Sequence, residues 1–211
     1  MRKTIKILLV LSAVSLLAVV GIVWAYGTSM DSNTNTFTVG NVNIELNEEH
    51  WDAESATDMK PGYIAEKDPV VTNSGGNNAF AFIEVSVPKK NIYTYDPVTK
   101  TRNEQAVTPL FTLKDISPEW VLINTDNSSE DIIKYVYAYG TSSECTALKS
   151  GESTPAVFLS TQYCYAVEGQ DLDKDSLVVT VKAFAIQADN ITDEDTKDPE
   201  SVWSILYREI G

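Results

Sequence analysis

The chain has 211 residues, 43% of them hydrophobic, with 16 Lys+Arg against 30 Asp+Glu and a formal net charge of −14. So acidic a balance excludes nucleic acid and anionic lipid as principal partners, because both require a basic surface. The length suffices for one domain with a sizeable hydrophobic core.

Residues 1–25 carry the three parts of an export signal. Arg2, Lys3 and Lys6 form a positive start, Ile7 to Val23 is an uncharged apolar run, and Val23 and Ala25 put small residues at the −3 and −1 positions of a signal-peptidase site. The apolar run approaches the length of a spanning helix. The V-W-A step and the absence of an adjacent charged stop nevertheless predict a cut after Ala25 rather than a retained anchor. Removal of residues 1–25 leaves 13 Lys+Arg against 30 Asp+Glu, a formal −17. No second apolar run follows, so the product is expected to be secreted, to the extracellular matrix or cell surface, with no membrane attachment after cleavage.

The stretch TFTVGNVNIEL changes phase in its middle. Phe37 and Val39 alternate in one register, whereas Val42, Ile44 and Leu46 alternate in the other. The flip falls at Gly40-Asn41, which reads as a bulge or hinge between two strand pieces. This predicts that the piece before the glycine pairs elsewhere from the piece after it. Next comes the chain's single histidine, His50, flanked by Glu48, Glu49 and Asp52. Those side chains could form a carboxylate-rich metal site, but a lone histidine in a polar loop is ordinarily just exposed.

Alternation with a period of two dominates the rest of the chain. In NNAFAFIEVSVPKK the odd positions Ala79, Ala81, Ile83, Val85 and Val87 are all apolar, while the even positions turn from Phe80 and Phe82 to Glu84 and Ser86. Further strands are predicted at 108–114, 119–124, 132–140 and 161–168. The stretch from Leu177 to Ala185 is again apolar at every odd position. PG at 61–62, NSGGNN at 73–78, TDNSSED at 125–131 and KSGESTP at 149–155 supply the turns. Such punctuation between β-branched and aromatic runs indicates an all-β fold, an antiparallel β-sandwich. One short C-terminal helix is predicted, with Asp198 as cap, Pro199 in the first turn, and Val202, Ile205, Leu206 and Ile210 on one stripe.

Chemistry-bearing motifs are few. H-E-x-x-H and G-x-S-x-G are absent, and no Gly-rich loop precedes a helix, so nothing marks the chain as an enzyme. Asp171, Asp173 and Asp175 are spaced like the start of a calcium loop, but the sixth and twelfth positions are Ser176 and Lys182, which excludes an EF-hand and leaves at most a casual surface Ca²⁺ site. Apart from that, no cofactor is expected. Cys145 and Cys164 both lie in the exported part and are expected to form one disulfide. Closing a loop of roughly 20 residues, it would contribute about 3 kcal/mol.

Several stretches, taken in order, resemble a known family. The signal ending GIVWAYGTSMDSNTNTF is similar to those cut by the dedicated signal peptidase SipW. FTVGNVNIELNEEHWD, KPG at 60–62, DPVVTNSG at 68–75, AFAFIEV, YVYAYG, LKSGEST and VKAFAIQAD resemble the TasA/camelysin family across nearly the whole chain. The resemblance implies a jelly-roll-like sandwich over residues 40–211, exported to the surface or biofilm matrix of Gram-positive bacteria. It further implies a fibre subunit whose N-terminal segment, within residues 26–39, completes the sheet of the next subunit. The donor strand would be Thr34, Asn35, Thr36, Phe37, Thr38 and Val39, and the partner a second copy of the chain, joined head to tail. Physically, an extended segment satisfies an open sheet edge while its apolar side chains fill a groove. Two other readings use the same sandwich, a monomeric surface adhesin or accessory protein and a camelysin-like zinc endopeptidase. The second is not carried over, because the chain has no zincin motif and one histidine.

Overall fold

The computed structural model describes residues 35–39, 42–49, 60–170, 172, 177–189, 191 and 196–210. It is an all-β sandwich with one short C-terminal helix. The strands are β1 (Asn35–Val39), β2 (Ile44–Glu48), β3 (Ile64–Glu66), β4 (Pro69–Asn73), β5 (Ala79–Ile92), β6 (Ala106–Pro109), β7 (Phe111–Lys114), β8 (Trp120–Asp126), β9 (Ile132–Tyr139), β10 (Ser160–Tyr163) and β11 (Thr180–Gln187). The helix, α1, is Pro199–Ile210.

The main sheet runs β1-β11-β5-β9-β8, with β6 added to the far end of β5. Its pairs are antiparallel except for β1 and β11, which are parallel, and this corrects the purely antiparallel expectation. Neighbours joined by a short turn must run antiparallel, whereas strands at opposite ends of a domain carry no such constraint. A second layer combines β2-β4 with β3-β10-β7. The segment leading into β10 runs alongside β4 and the β3–β4 link, with backbone bonds from Asn73 N to Glu152 O (2.9 Å), Thr154 N to Val71 O (2.9 Å) and Lys67 N to Leu159 O (3.2 Å), and so brings the two small sheets together. The chain changes layer between β1 and β2, so the pieces before and after the phase flip do pair differently. Gly40 and Asn41 themselves lie outside the described residues.

Alternation along β5 decides the packing. Its odd residues from Ala79 to Val87 point into a core between the layers, where Val71, Phe158 and Val181 meet them. Its first even residues, Phe80 and Phe82, point to the opposite face, which α1 covers with Val202, Trp203 and Leu206. The sheet face turns polar at Glu84, where the helix-covered patch ends. Each fully buried Val, Ile or Phe contributes about 1.5–3 kcal/mol by leaving water, so both faces of this strand stabilise the fold. The helix begins as predicted: the Ser201 N–H donates to Asp198 Oδ2 at 2.9 Å and the Val202 N–H to the Asp198 carbonyl at 2.9 Å. Hydrogen bonding from the Ser201 side chain, and then from its N–H, holds the Asp198 carboxyl below its ordinary pKa.

One predicted strand divides in two and another comes out shorter. The 108–114 run divides at buried Leu110, whose N–H bonds to the Pro88 carbonyl at 2.8 Å; β6 stays with β5 and β7 moves to the other layer. The 161–168 run stops as β10 at Tyr163, after which the Cys164 N–H turns to the Leu110 carbonyl. Gly140, at φ +143°, is needed where the chain doubles back to Cys145, because a Cβ there would collide with the Glu144 carbonyl.

The expected disulfide is not formed: Cys145 and Cys164 are free thiols. Cys145 belongs to the helix-side cluster and Cys164 packs against the interlayer core, so the main sheet separates them. A bridge requires Cα atoms within about 7 Å and converging Cβ vectors. Burial pushes Cys145 to about 12 and Cys164 to about 11, from 9.0, and it pushes Tyr137 and Tyr163 to about 12, from 10.0. The unfolded chain therefore loses these protons first. Their contribution to stability is complete below about pH 9 and is lost as pH rises through 11 to 12. Urea midpoints are expected to fall steadily across that range, and a flat profile from pH 9 to 12 would contradict it.

Candidate functional site

The candidate site is the β1 edge of the main sheet. NTFTV has alternating β-branched and aromatic residues, which suits a strand, and it carries no charge, proline or bulge to discourage further pairing. The opposite edge, β8, is interrupted by a register shift between Leu122 and Asn124 and ends on Asp126. Along β1 the register runs from Asn35 opposite Lys182 to Val39 opposite Ile186.

Aligned residues of neighbouring strands share a face. Thr36 and Thr38 accordingly sit beside Ala183 and Ala185 on the interlayer side and are exposed. Phe37 lies on the helix side, its ring stacked on Phe184 at 5.0 Å and 16°, yet it stays 39% exposed. Phe184 meets Trp203 edge-on at 5.3 Å, and Trp203 also contacts Phe82 at 5.4 Å. Val39 packs against the helix-side cluster and forms one wall of a groove of about 230 Å³ with Ile186, Ile191 and Ile205, rimmed by Asp189 and Glu209. The Lys182 ammonium is 6.0 Å from the Phe37 ring centre, at the limit of a cation–π contact.

Of the predicted donor residues, the structure therefore brings Phe37 and Val39 onto one seat and leaves Thr36 and Thr38 in solvent. Thr34 lies outside the described residues, as do residues 1–25, His50, Asp52, Asp171, Asp173 and Asp175. Among the described residues no group of three or more His, Cys, Asp or Glu is placed to hold a metal. Glu48, considered above as a companion of His50, has its carboxylate on Lys67: Nζ is 2.7 Å from Oε1 and donates to Oε2 at 2.8 Å. Among the described residues no helix is long and apolar enough to cross a membrane.

Phe184, Ile186 and Trp203 are the seat residues that the strand and helix patterns left unremarked. A signal was present. Phe184 and Ile186 make the even positions of β11 apolar at its end, as Phe80 and Phe82 do at the start of β5. Trp203 shares the helical stripe with Pro199 and Leu206. Searches of protein-family models, curated proteins and solved structures give no significant match to the chain.

Proposed function

We propose that this chain is a secreted structural subunit of extracellular matrix fibres, of the TasA/camelysin kind, assembling head to tail by donation of β1. The jelly-roll connectivity, export by a SipW-type peptidase and location in the matrix or on the cell surface belong to the same proposal. The observation that carries it is the attachment of β1. This five-residue edge strand packs Val39 against the helix-side cluster, stacks an exposed Phe37 on Phe184, and contributes no apolar side chain to the interlayer core. Its departure leaves the core closed and uncovers a row of backbone groups on β11, with Phe184 and Ile186 beside them.

An identical strand from a second copy restores every lost contact. Exchange is then nearly neutral in contact energy, and concentration decides the outcome. Because donor and acceptor are different surfaces, each added copy presents a fresh acceptor, and the array stays open. The test compares chains beginning at residue 26 and at residue 40 by electron microscopy and sedimentation. The longer chain is expected to form filaments and the shorter to remain a folded monomer. Filaments from the shorter chain would exclude β1 as the donor. A longer chain that stays monomeric at high concentration would favour a monomeric adhesin instead.

A further inference from the structure

Helix α1 lies across the outer face of the main sheet and touches β1 at one edge and β8 at the other. The residues it covers form a cluster separate from the interlayer core. Both apolar side chains of β1 are directed to this helix-covered side. Phe37 reaches Trp203 through Phe184, at 5.0 Å and then 5.3 Å, and Val39 faces Ile205 across the groove. The backbone of β11 can pair with any extended peptide, since main-chain bonds carry no side-chain information. What can tell one strand from another at this edge is the side-chain surface beside it, Phe184 and Ile186 of β11 with Trp203 and Ile205 of α1 behind and beyond them.

We propose that α1 is the selective clamp of the acceptor site. It admits a strand bearing an aromatic residue followed two positions later by a β-branched one, and the occupant is the Phe37–Val39 segment of a second copy of this chain. The inference rests on the strand-donation reading above. The seat already holds that segment in the structure, which shows that the shapes fit. The acidic residues Asp189 and Glu209 at the groove rim disfavour an acidic strand, and NTFTV has no charge to repel. The sandwich keeps its own core, so clamp and fold can be altered separately.

Donor and clamp lie on different parts of one chain, and a complementation experiment separates them. Phe37→Ala makes a poor donor with an intact clamp. Trp203→Leu keeps an apolar side chain under the sheet, and hence the fold, but loses the ring that braces Phe184. Each variant, beginning at residue 26, is examined by sedimentation and electron microscopy, alone and in an equal mixture. Each alone is expected to need roughly tenfold more protein for filaments, in keeping with the loss of one aromatic contact. The mixture is expected to yield a one-to-one heterodimer and no filament, because the Trp203→Leu copy can only donate and the Phe37→Ala copy can only accept.

Normal filaments from Trp203→Leu would overturn the clamp and leave strand donation standing. Normal filaments from Phe37→Ala would overturn donation through Phe37, and the clamp with it. Two assembly-defective variants that give no heterodimer would overturn the division of roles. Should Trp203→Leu lack a cooperative unfolding transition, Ile205→Glu takes its place. It sets a charge in the half-buried groove wall beside Glu209 and predicts the same heterodimer.

Discussion

Lys67→Ala is expected to lower the unfolding free energy by about 3–5 kcal/mol, seen as a large fall in the urea midpoint at unchanged slope. Lys67 sits where β3 passes into β4, with its N–H on the Leu159 carbonyl, and its side chain is 1% exposed. Both oxygens of Glu48, 4% exposed on β2, lie within 2.8 Å of its ammonium. The side chains thus connect β2 to the link between β3 and β4. Truncating the lysine leaves a buried carboxylate with its main counter-charge removed, and the size of the effect comes from that desolvation. The double variant Lys67→Met, Glu48→Leu is expected to recover most of the loss, because no charge then remains to be solvated. If Lys67→Ala costs less than about 1 kcal/mol, the range of an exposed pair, the ion pair is not sealed from water. Desolvation holds the Lys67 pKa below 10.5 against the opposing pull of Glu48. By itself this residue therefore adds stability as pH climbs toward 10.5, opposite in sign to the buried tyrosines and thiols.

Phe184→Ala is expected to cost about 3–5 kcal/mol of stability, as buried aromatic truncations do, and to abolish filament formation at concentrations where the parent chain assembles. Its ring is the link between the β1 seat and the helix, with Phe37 stacked on one side and Trp203 edge-on at the other. The alanine removes area from the helix-side cluster and also the surface on which a donor aromatic lands. Phe37→Ala provides the contrast. That ring is already 39% exposed, so its loss is expected to change stability by well under half as much while still impairing assembly. Equal stability losses for the two variants would show that β1 is an integral strand and not an exchangeable one.

Much of this architecture was legible in the pattern of β5. Five apolar odd positions announced a strand facing a core, and the even positions, running from Phe80 and Phe82 to Glu84 and Ser86, announced a second face covered only in part. The C-terminal stripe announced an amphipathic helix, which is what covers it. The phase flip at Gly40-Asn41 announced that β1 and β2 part company, as they do. Pairing partners were less accessible. Nothing in NTFTV indicates a parallel neighbour nearly 150 residues away in sequence, and nothing in TPLFTLK says that its halves join different layers. The cysteine pair misled for the same reason, since an even count in an exported chain carries no information about which side of a sheet each thiol occupies.

Local quantities could be read directly from the residues: the export signal as an expectation, the strand periods, the turn sites, the helix with its Asp198 cap, and the acidic balance. Each depends on residues within a few positions of one another, where side-chain direction repeats every two or 3.6 residues. Long-range packing sets the rest: β1 lies parallel to β11, the helix packs over Phe184, Lys67 meets Glu48, and Cys145 and Cys164 stand apart. Those contacts join residues distant along the chain. They are selected by the joint packing of two sheets and a helix, which no window of sequence contains.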